Sequence, residues 1–282
     1  MRLVYVSDLH GRNEHFDFAF AQAGRERADA LVLGGDLVPM VKTVQAQVDW
    51  VAAYLRPRLS FHQARGGCPV LLIPGNHEYA STVQAYDDLA AEGLCLQLHG
   101  RIARLGGWEF LGYAPTIPSP WYVKDQERRD LTGDPAPQIC RKPLADLGRG
   151  EWEVENEAEW FTAHPSIQAE LAALPVPADW RRTVFLCHSP PKETGLDRTL
   201  HGLAVGSAAV RDFIARRQMP LALHGHIHEA PQVCGYCGCR LGTTLCINPG
   251  QDLGGTCAVL LTLEAPERNW WHSQGLPLWP KG

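Results

Sequence analysis

The stretch LLIPGNHE, residues 71–78, decides how the rest of the chain is read. Val70, Leu71, Leu72 and Ile73 form a short apolar run of the kind that makes a strand buried on both faces, and Pro74 and Gly75 turn it. Asn76, His77 and Glu78 follow at once, so polar chemistry begins where the strand stops. In open α/β sheets, ligands bind just beyond the carboxyl ends of the strands.

The same order recurs along the chain. MRLVYVSD (1–8) leads on to His10, ALVLGGD (30–36) ends in Asp36, TVFLCH (183–188) in His188, and PLALHGHIH (220–228) in His226 and His228. A buried, unpaired carboxylate or imidazole at each strand end would be costly. Convergence on metal removes that cost. Asp8, His10, Asp36, Asn76, His188, His226 and His228 are therefore the candidate ligands. Carboxylate, imidazole and amide oxygen without thiolate suit first-row divalent ions. The set is too large for one tetrahedral ion and fits two ions sharing a carboxylate, an arrangement that clamps an in-line displacement. Two divalent ions outweigh two aspartates, so an anionic phosphoester is attracted, and a water bridging two cations gives up a proton near neutral pH. His77 points into the same cup without needing to bind metal and is assigned to stabilising or protonating the leaving-group oxygen, with a hydrogen-bonded structural histidine as the alternative. His15, His62, His99, His164, His201, His224 and His272 lie outside the pattern and read mostly as surface or supporting residues.

Between these blocks the pattern is helical. Residues 13–27 read as a helix capped by Asn13, and 42–64 as a long amphipathic helix interrupted near Pro57. Ser81 to Gly93 carries a capping box, Ser81 with Gln84. The resulting β-α-β-α-β order predicts a layered α/β sheet. From Leu94 the periodicity changes: CLQLHG, RIARLGG and WEFLGYAP read as short strands of a second, partly antiparallel set. After TVFLCH, a helix over 206–217 and PLALHGH, the tail alternates strands again. Two facing mixed sheets flanked by helices follow, in a single domain over 1–282. Residues 115–180, rich in Pro and Trp, hold a helix-like stretch over 151–174. They read as a lid or insertion over the strand ends, with a satellite tryptophan core as the equally weighted alternative.

Composition excludes several classes. The chain of 282 residues has a net charge of -5 and 20% charged residues, which gives no global attraction to long nucleic acid or an acidic membrane. No apolar run approaches the ~20 residues of a membrane span, and a first strand starting at Met1 leaves no room for a leader. Nine cysteines, an odd number with several in apolar runs, read as reduced thiols and make a cytoplasmic location the expectation. Cys234, Cys237 and Cys239 lie close enough to raise a structural zinc, but the spacing lacks a second clean CxxC, and a Gly-rich hairpin with incidental thiols is the better reading.

Taken together, SDLH (7–10), GGD (34–36), GNHE (75–78), CH (187–188) and GHIH (225–228), in this order, resemble the blocks of the calcineurin-like metallophosphoesterase superfamily. The resemblance implies a four-layer α/β/β/α sandwich. It implies a first metal held by Asp8, His10 and His228, a second by Asn76, His188 and His226, Asp36 bridging and His77 catalytic. The implied ions are Mn, Fe, Zn, Co or Ni. NPG at 248–250 recurs after the last histidine block as a turn beneath the site. Leu37–Met40 replace the DRG of protein Ser/Thr phosphatases and carry none of the further Asp of many cyclic-nucleotide phosphodiesterases and nucleases, and GNHE stands for GNHD. HSPP at 188–191 with GHIHE at 225–229 is closest to small prokaryotic phosphoesterases. The expected activity is dinuclear metal-dependent hydrolysis of a small phosphomonoester or phosphodiester. A nuclease is the enzymatic alternative, with nucleic acid the less favoured partner, and a non-catalytic scaffold is the other. Lys124, Arg128, Arg129, Arg141 and Lys142 in the lid offer contacts to a second phosphate, and Trp121 or Tyr122 to a base, against the favoured reading of a solvated mixed-charge surface.

Overall fold

The computed structural model describes residues 1–146, 148–251 and 254–280. One six-stranded sheet is built from β1 (Arg2–Val6), β2 (Ala30–Leu33), β3 (Val70–Leu72), β4 (Leu96–Gln97), β13 (Val259–Thr262) and β14 (Trp270–His272), in the order β14-β13-β1-β2-β3-β4. A second, also six-stranded, combines β5 (Ile102–Leu105), β6 (Trp108–Tyr113), β9 (Thr183–Cys187), β10 (Leu221–Leu223), β11 (Gly238–Leu241) and β12 (Thr244–Ile247), in the order β11-β12-β10-β9-β6-β5. Both are mixed: β1 to β4 run parallel with an antiparallel β13 beside β1, and β6, β9, β10 and β12 run parallel with antiparallel strands at both edges.

The unbroken apolar runs are explained by burial on both faces. Leu3 and Tyr5 of β1 point into the core between the sheets with Val32, Leu71, Phe110, Val184, Leu221 and Leu245. Val4 and Val6 point the other way, onto Phe16, Ala19, Leu55 and Tyr86 of the helices on that side. Phe185 and Ala222 pack likewise on Val210, Phe213 and Ile214 beyond the second sheet. The layers run helix, sheet, sheet, helix. The helices are α1 (Asn13–Arg25), α2 (Val44–Trp50), α3 (Arg56–Ala64) and α4 (Ala80–Ala91) on one side, and α6 (Ile167–Ala173) and α7 (Ala208–Arg217) on the other.

Helix termini differ from the sequence reading. Asn13 is the first residue of α1 rather than its cap, and Arg12 stands at that position without a capping side chain. Ser81 lies inside α4; its amide is taken by Asp146 Oδ2 at 2.8 Å, so the capping acceptor comes from a distant segment and the Ser81/Gln84 box does not form. The 42–64 helix is interrupted ahead of Pro57, by a π-helical turn over Val51–Leu55. Arg56 N–H reaches back to Val51 O, and the widened turn accommodates a proline that has no donor.

Residues 115–180 hold a short hairpin of β7 (Leu144–Ala145) and β8 (Trp152–Glu153), then α5 (Glu157–Ala163) and α6. Helix does not extend over 151–174: Asn156 and Ser166 cap α5 and α6 separately, and Pro165 between them cannot continue a helix. The tryptophans do not form one core. Trp160 packs with Ala145, Val154 and Phe161, Trp180 lies against Phe213, and Trp121 stacks on His77.

Candidate metal centre

The strands of both sheets deliver their polar ends to one place. Asp8 follows β1, Asp36 follows β2, Asn76 follows β3, His188 follows β9, and His226 and His228 follow β10. The turns are tight enough to force left-handed backbone at non-glycine residues: φ is 59° at Asp8, 45° at His10, 51° at Asp36 and 68° at His226. Such conformations are uncommon outside glycine and concentrate at functional sites. Two glycines are required by close approach. A Cβ on Gly75 would stand 2.2 Å from Asp36 Oδ1, and one on Gly225 would stand 2.0 Å from Ser7 Oγ and 2.5 Å from Asp8 Oδ2.

Asp8, His10, Asp36, His188, His226 and His228 gather at this place, and Asn76 is buried between Gly75 and His77, whose neighbours include Asp36. Asp8, His10, Asp36 and His228 present ligand atoms within 4.8 Å of one another, and so do Asp36, His188 and His226, with Asp36 common to both groups. His228 Nε2 lies 3.3 Å from Asp8 Oδ1, His188 Nε2 3.3 Å from Asp36 Oδ2, and His10 Nε2 4.0 Å from the same oxygen. The aspartates are also anchored by the loops opposite: His226 N–H donates to both oxygens of Asp8, and His77 N–H to Asp36 Oδ1 at 2.9 Å.

The donor set fits divalent cations. Asn76 Oδ1 is buried, and among the described residues nothing hydrogen-bonds it, which is costly unless a further partner is provided for. His188 Nδ1 donates to Gly34 O at 2.8 Å, leaving Nε2 as the atom facing the carboxylates. Burial lowers the pKa of His10 to about 4 and of His226 to about 3, keeping these lone pairs available for a metal. Burial acts the same way on His188, but the charges of Asp36 and Asp8 overcome it and raise the ring to about 9. Asp8 is held at about 2: burial pushes it up, and the attraction of His228 and His188 outweighs that. This pocket attracts positive charge, and a dinuclear divalent pair is what its residues can hold.

His77 borders the cup, its Nε2 3.6 Å from Asp36 Oδ2. Burial is the main cause lowering its pKa, opposed by Asp36. Its ring meets His10 edge-on at 4.7 Å and stacks on Trp121 at 4.3 Å.

Three residues support the cup, of which only Glu78 was given no role in the sequence reading. Glu78 is fully buried and accepts from Leu37 N–H at 2.6 Å, Gly75 N–H at 2.8 Å and Tyr86 Oη–H at 3.1 Å, tying the GNHE loop to the GGD loop. Burial first, and the Asp36 charge second, raise it to about 7. The signal was the Glu in place of Asp. Asn248, in the NPG turn, donates through Nδ2 to the carbonyls of Leu196, Gly225 and Ile227 and so clamps the GHIH turn from below. His224 is buried beneath, its Nδ1 facing the carbonyls of Cys187 and Ser189. Of the histidines outside the pattern only His201 is exposed; His15, His224 and His272 are buried.

The lid charges are neither a solvated surface nor a phosphate site as a group. Lys124 is fully buried and binds Glu127 Oε2 at 2.7 Å, and Arg128 binds Glu170 Oε1 at 2.8 Å. Arg141 and Lys142 are exposed. Cys239 lies directly across β11–β12 from Cys246, and among the described residues no cysteine belongs to a metal-holding group.

A mixed α/β sandwich with a polar, cation-attracting cup at the strand ends of both sheets defines a candidate divalent-metal protein. The calcineurin-like phosphoesterase family model matches residues 1–230, and the chain belongs to that family, whose members are metal-dependent phosphoesterases. Among solved structures, TT1561 of Thermus thermophilus is 18% identical over 96% of this chain and 97% of that one, with a TM-score of 0.59. A dimetal phosphatase from Danio rerio is 13% identical over 92% and 91%, with a TM-score of 0.49. The first of these likenesses concerns the fold alone. No curated protein matches the chain.

Proposed function

We propose that this enzyme hydrolyses a small phosphomonoester or phosphodiester, with Asp8, His10, Asp36 and His228 holding one divalent ion and Asp36, Asn76, His188 and His226 the other. The observation carrying this reading is the pair of ligand groups that share Asp36. When bound, the ions neutralise the phosphoryl oxygens and acidify the attacking water. Asn76 contributes a neutral oxygen and leaves the cup net cationic towards an anionic ester. His77 stands at the rim with Nε2 turned inward and protonates the departing oxygen. A small substrate is supported by Lys124 and Arg128 of the 115–180 segment, which are committed to Glu127 and Glu170 rather than to a polyanion. The segment acts as a lid on a single domain spanning 1–282, and the reduced thiols favour a cytoplasmic setting.

The test is hydrolysis of p-nitrophenyl phosphate and bis-p-nitrophenyl phosphate by metal-stripped protein with Mn, Zn, Ni or Mg returned separately. Turnover restored by metal is the expected result, and the preferred ester separates monoesterase from diesterase. Turnover on neither ester with any ion, but cleavage of single- or double-stranded DNA or RNA, would replace this reading with a nuclease.

A further inference from the structure

We propose that Trp121 is a positioning residue, whose indole face holds the His77 imidazole in the orientation from which it protonates the leaving group. The inference rests on the role given to His77 above. An imidazole that works through one nitrogen is ordinarily oriented by a hydrogen bond at the other. His77 has no such bond: Nδ1 is buried, and among the described residues nothing hydrogen-bonds it. The backbone of His77 is fixed, through its N–H to Asp36 Oδ1 at 2.9 Å and its carbonyl from Gln47 Nε2 at 2.7 Å, but neither bond sets the ring. Packing does. Trp121 covers one face, with centroids 4.3 Å apart and planes at 28°, and His10 meets the ring edge-on. His10 is itself committed to the metal cup, which leaves Trp121 as the contact that serves the ring alone.

The loop that carries Trp121 is built to hold it still. Trp121 N–H donates to Ser119 Oγ at 3.1 Å, and Ser119 N–H donates to Glu127 Oε2 at 3.1 Å. Lys124 Nζ donates to Ser119 O at 2.8 Å and to Glu127 Oε2 at 2.7 Å, with both charged side chains fully buried. A buried ion pair is costly to assemble and is weak as a source of stability alone; here it fixes the backbone that presents an aromatic ring to His77. The indole Nε1 is buried and, among the described residues, receives no hydrogen-bond partner, so the side chain serves through its face rather than its N–H.

The test has a metal-independent arm and a kinetic arm. In metal-stripped protein with ring-labelled histidine, the His77 resonances are assigned by their loss in Trp121-intact His77→Gln. The indole ring current displaces them; Trp121→Leu returns them towards free-imidazole positions, and Trp121→Phe keeps part of the displacement. With the ion restored, Trp121→Leu lowers kcat about tenfold on a phenyl ester, which needs protonation, and less than about threefold on the p-nitrophenyl ester, with KM unchanged. Trp121→Phe recovers the phenyl ester rate to within about threefold, and Trp121→Leu added to His77→Ala costs nothing further. If Trp121→Leu does not fold, Trp121→Met fills the volume without a ring face. Unmoved His77 resonances, or equal loss on both esters, overturn the inference alone when His77→Ala is slow. A His77→Ala variant with unchanged rates overturns the role of His77 and, with it, the inference.

Discussion

Glu78 shows how one methylene sets a loop. Its carboxylate reaches the amides of Leu37 and Gly75 and the hydroxyl of Tyr86 at once, a reach that a shorter Asp at the same backbone position lacks. Glu78→Ala leaves those buried donors unsatisfied, at about 1–3 kcal/mol each where water does not enter. Thermal unfolding is expected to show a net loss of about 3 kcal/mol or more. Glu78→Gln, which keeps one acceptor oxygen, is expected to lose less. His77→Ala, by contrast, is expected to fold normally and lower kcat about 10²–10³-fold on esters with poor leaving groups, measured by steady-state kinetics beside circular dichroism of the same sample. At this scale the sequence was most legible. The Asp and His side chains that gather within 4.8 Å of one another in two groups all follow strands, so residue type and position together singled them out. Asn248 was legible only as part of a turn beneath the site; Glu78 was not legible, because a carboxylate that binds backbone amides has no residue pattern of its own.

The strands and the long helices were legible because apolar runs and helical periodicity record burial directly. The lid was not. Alternating Lys, Asp, Glu and Arg over 124–130 looks like a solvated face, yet these charges are staples to other elements. Asp130 accepts from Ala208 N–H at 2.7 Å and Ala209 N–H at 3.2 Å, capping α7, and Asp146 accepts from Ser81 N–H at 2.8 Å in the first turn of α4. Helix N-termini favour carboxylates both as hydrogen-bond acceptors and as negative charge. The segment is thereby docked on both helical layers. Asp130→Ala and Asp146→Ala are each expected to cost about 1 kcal/mol, or about 2–4 °C in Tm, by calorimetry. They are also expected to raise amide exchange in the 115–180 segment more than in the two sheets. Equal exchange in sheet and segment would contradict this docking. A cap supplied from 65 or more positions away, as at Ser81, is invisible to local sequence rules.

Across the whole molecule, the two sheets meet where His99, just beyond β4, bridges to Gly112 of β6. Its Nδ1 accepts from Ala114 N–H at 3.1 Å, which requires the neutral ring. Burial lowers its pKa from 6.5 to about 4. The unfolded chain therefore binds more protons between these values, so the contribution is complete above pH 6.5 and is lost as pH falls towards 4. The ring is partly exposed, and screening reduces the effect to about 1–2 kcal/mol. His99→Asn keeps the acceptor without the titration and is expected to flatten this limb of the stability profile in denaturant titrations at pH 4–7. A variant profile parallel to that of the parent chain would contradict the assignment.

Both sheets send their polar ends to one cup, and the claim on which everything else depends is that the cup holds two ions through a shared Asp36. The direct measurement is the metal stoichiometry of stripped protein titrated with zinc or manganese, by calorimetry with elemental analysis after dialysis. Two ions per chain, with Asp36→Asn weakening both sites while Asn76→Ala weakens only one, is the expected result. One ion per chain, or an Asp36→Asn variant that still binds two ions with unaltered affinity, would contradict it.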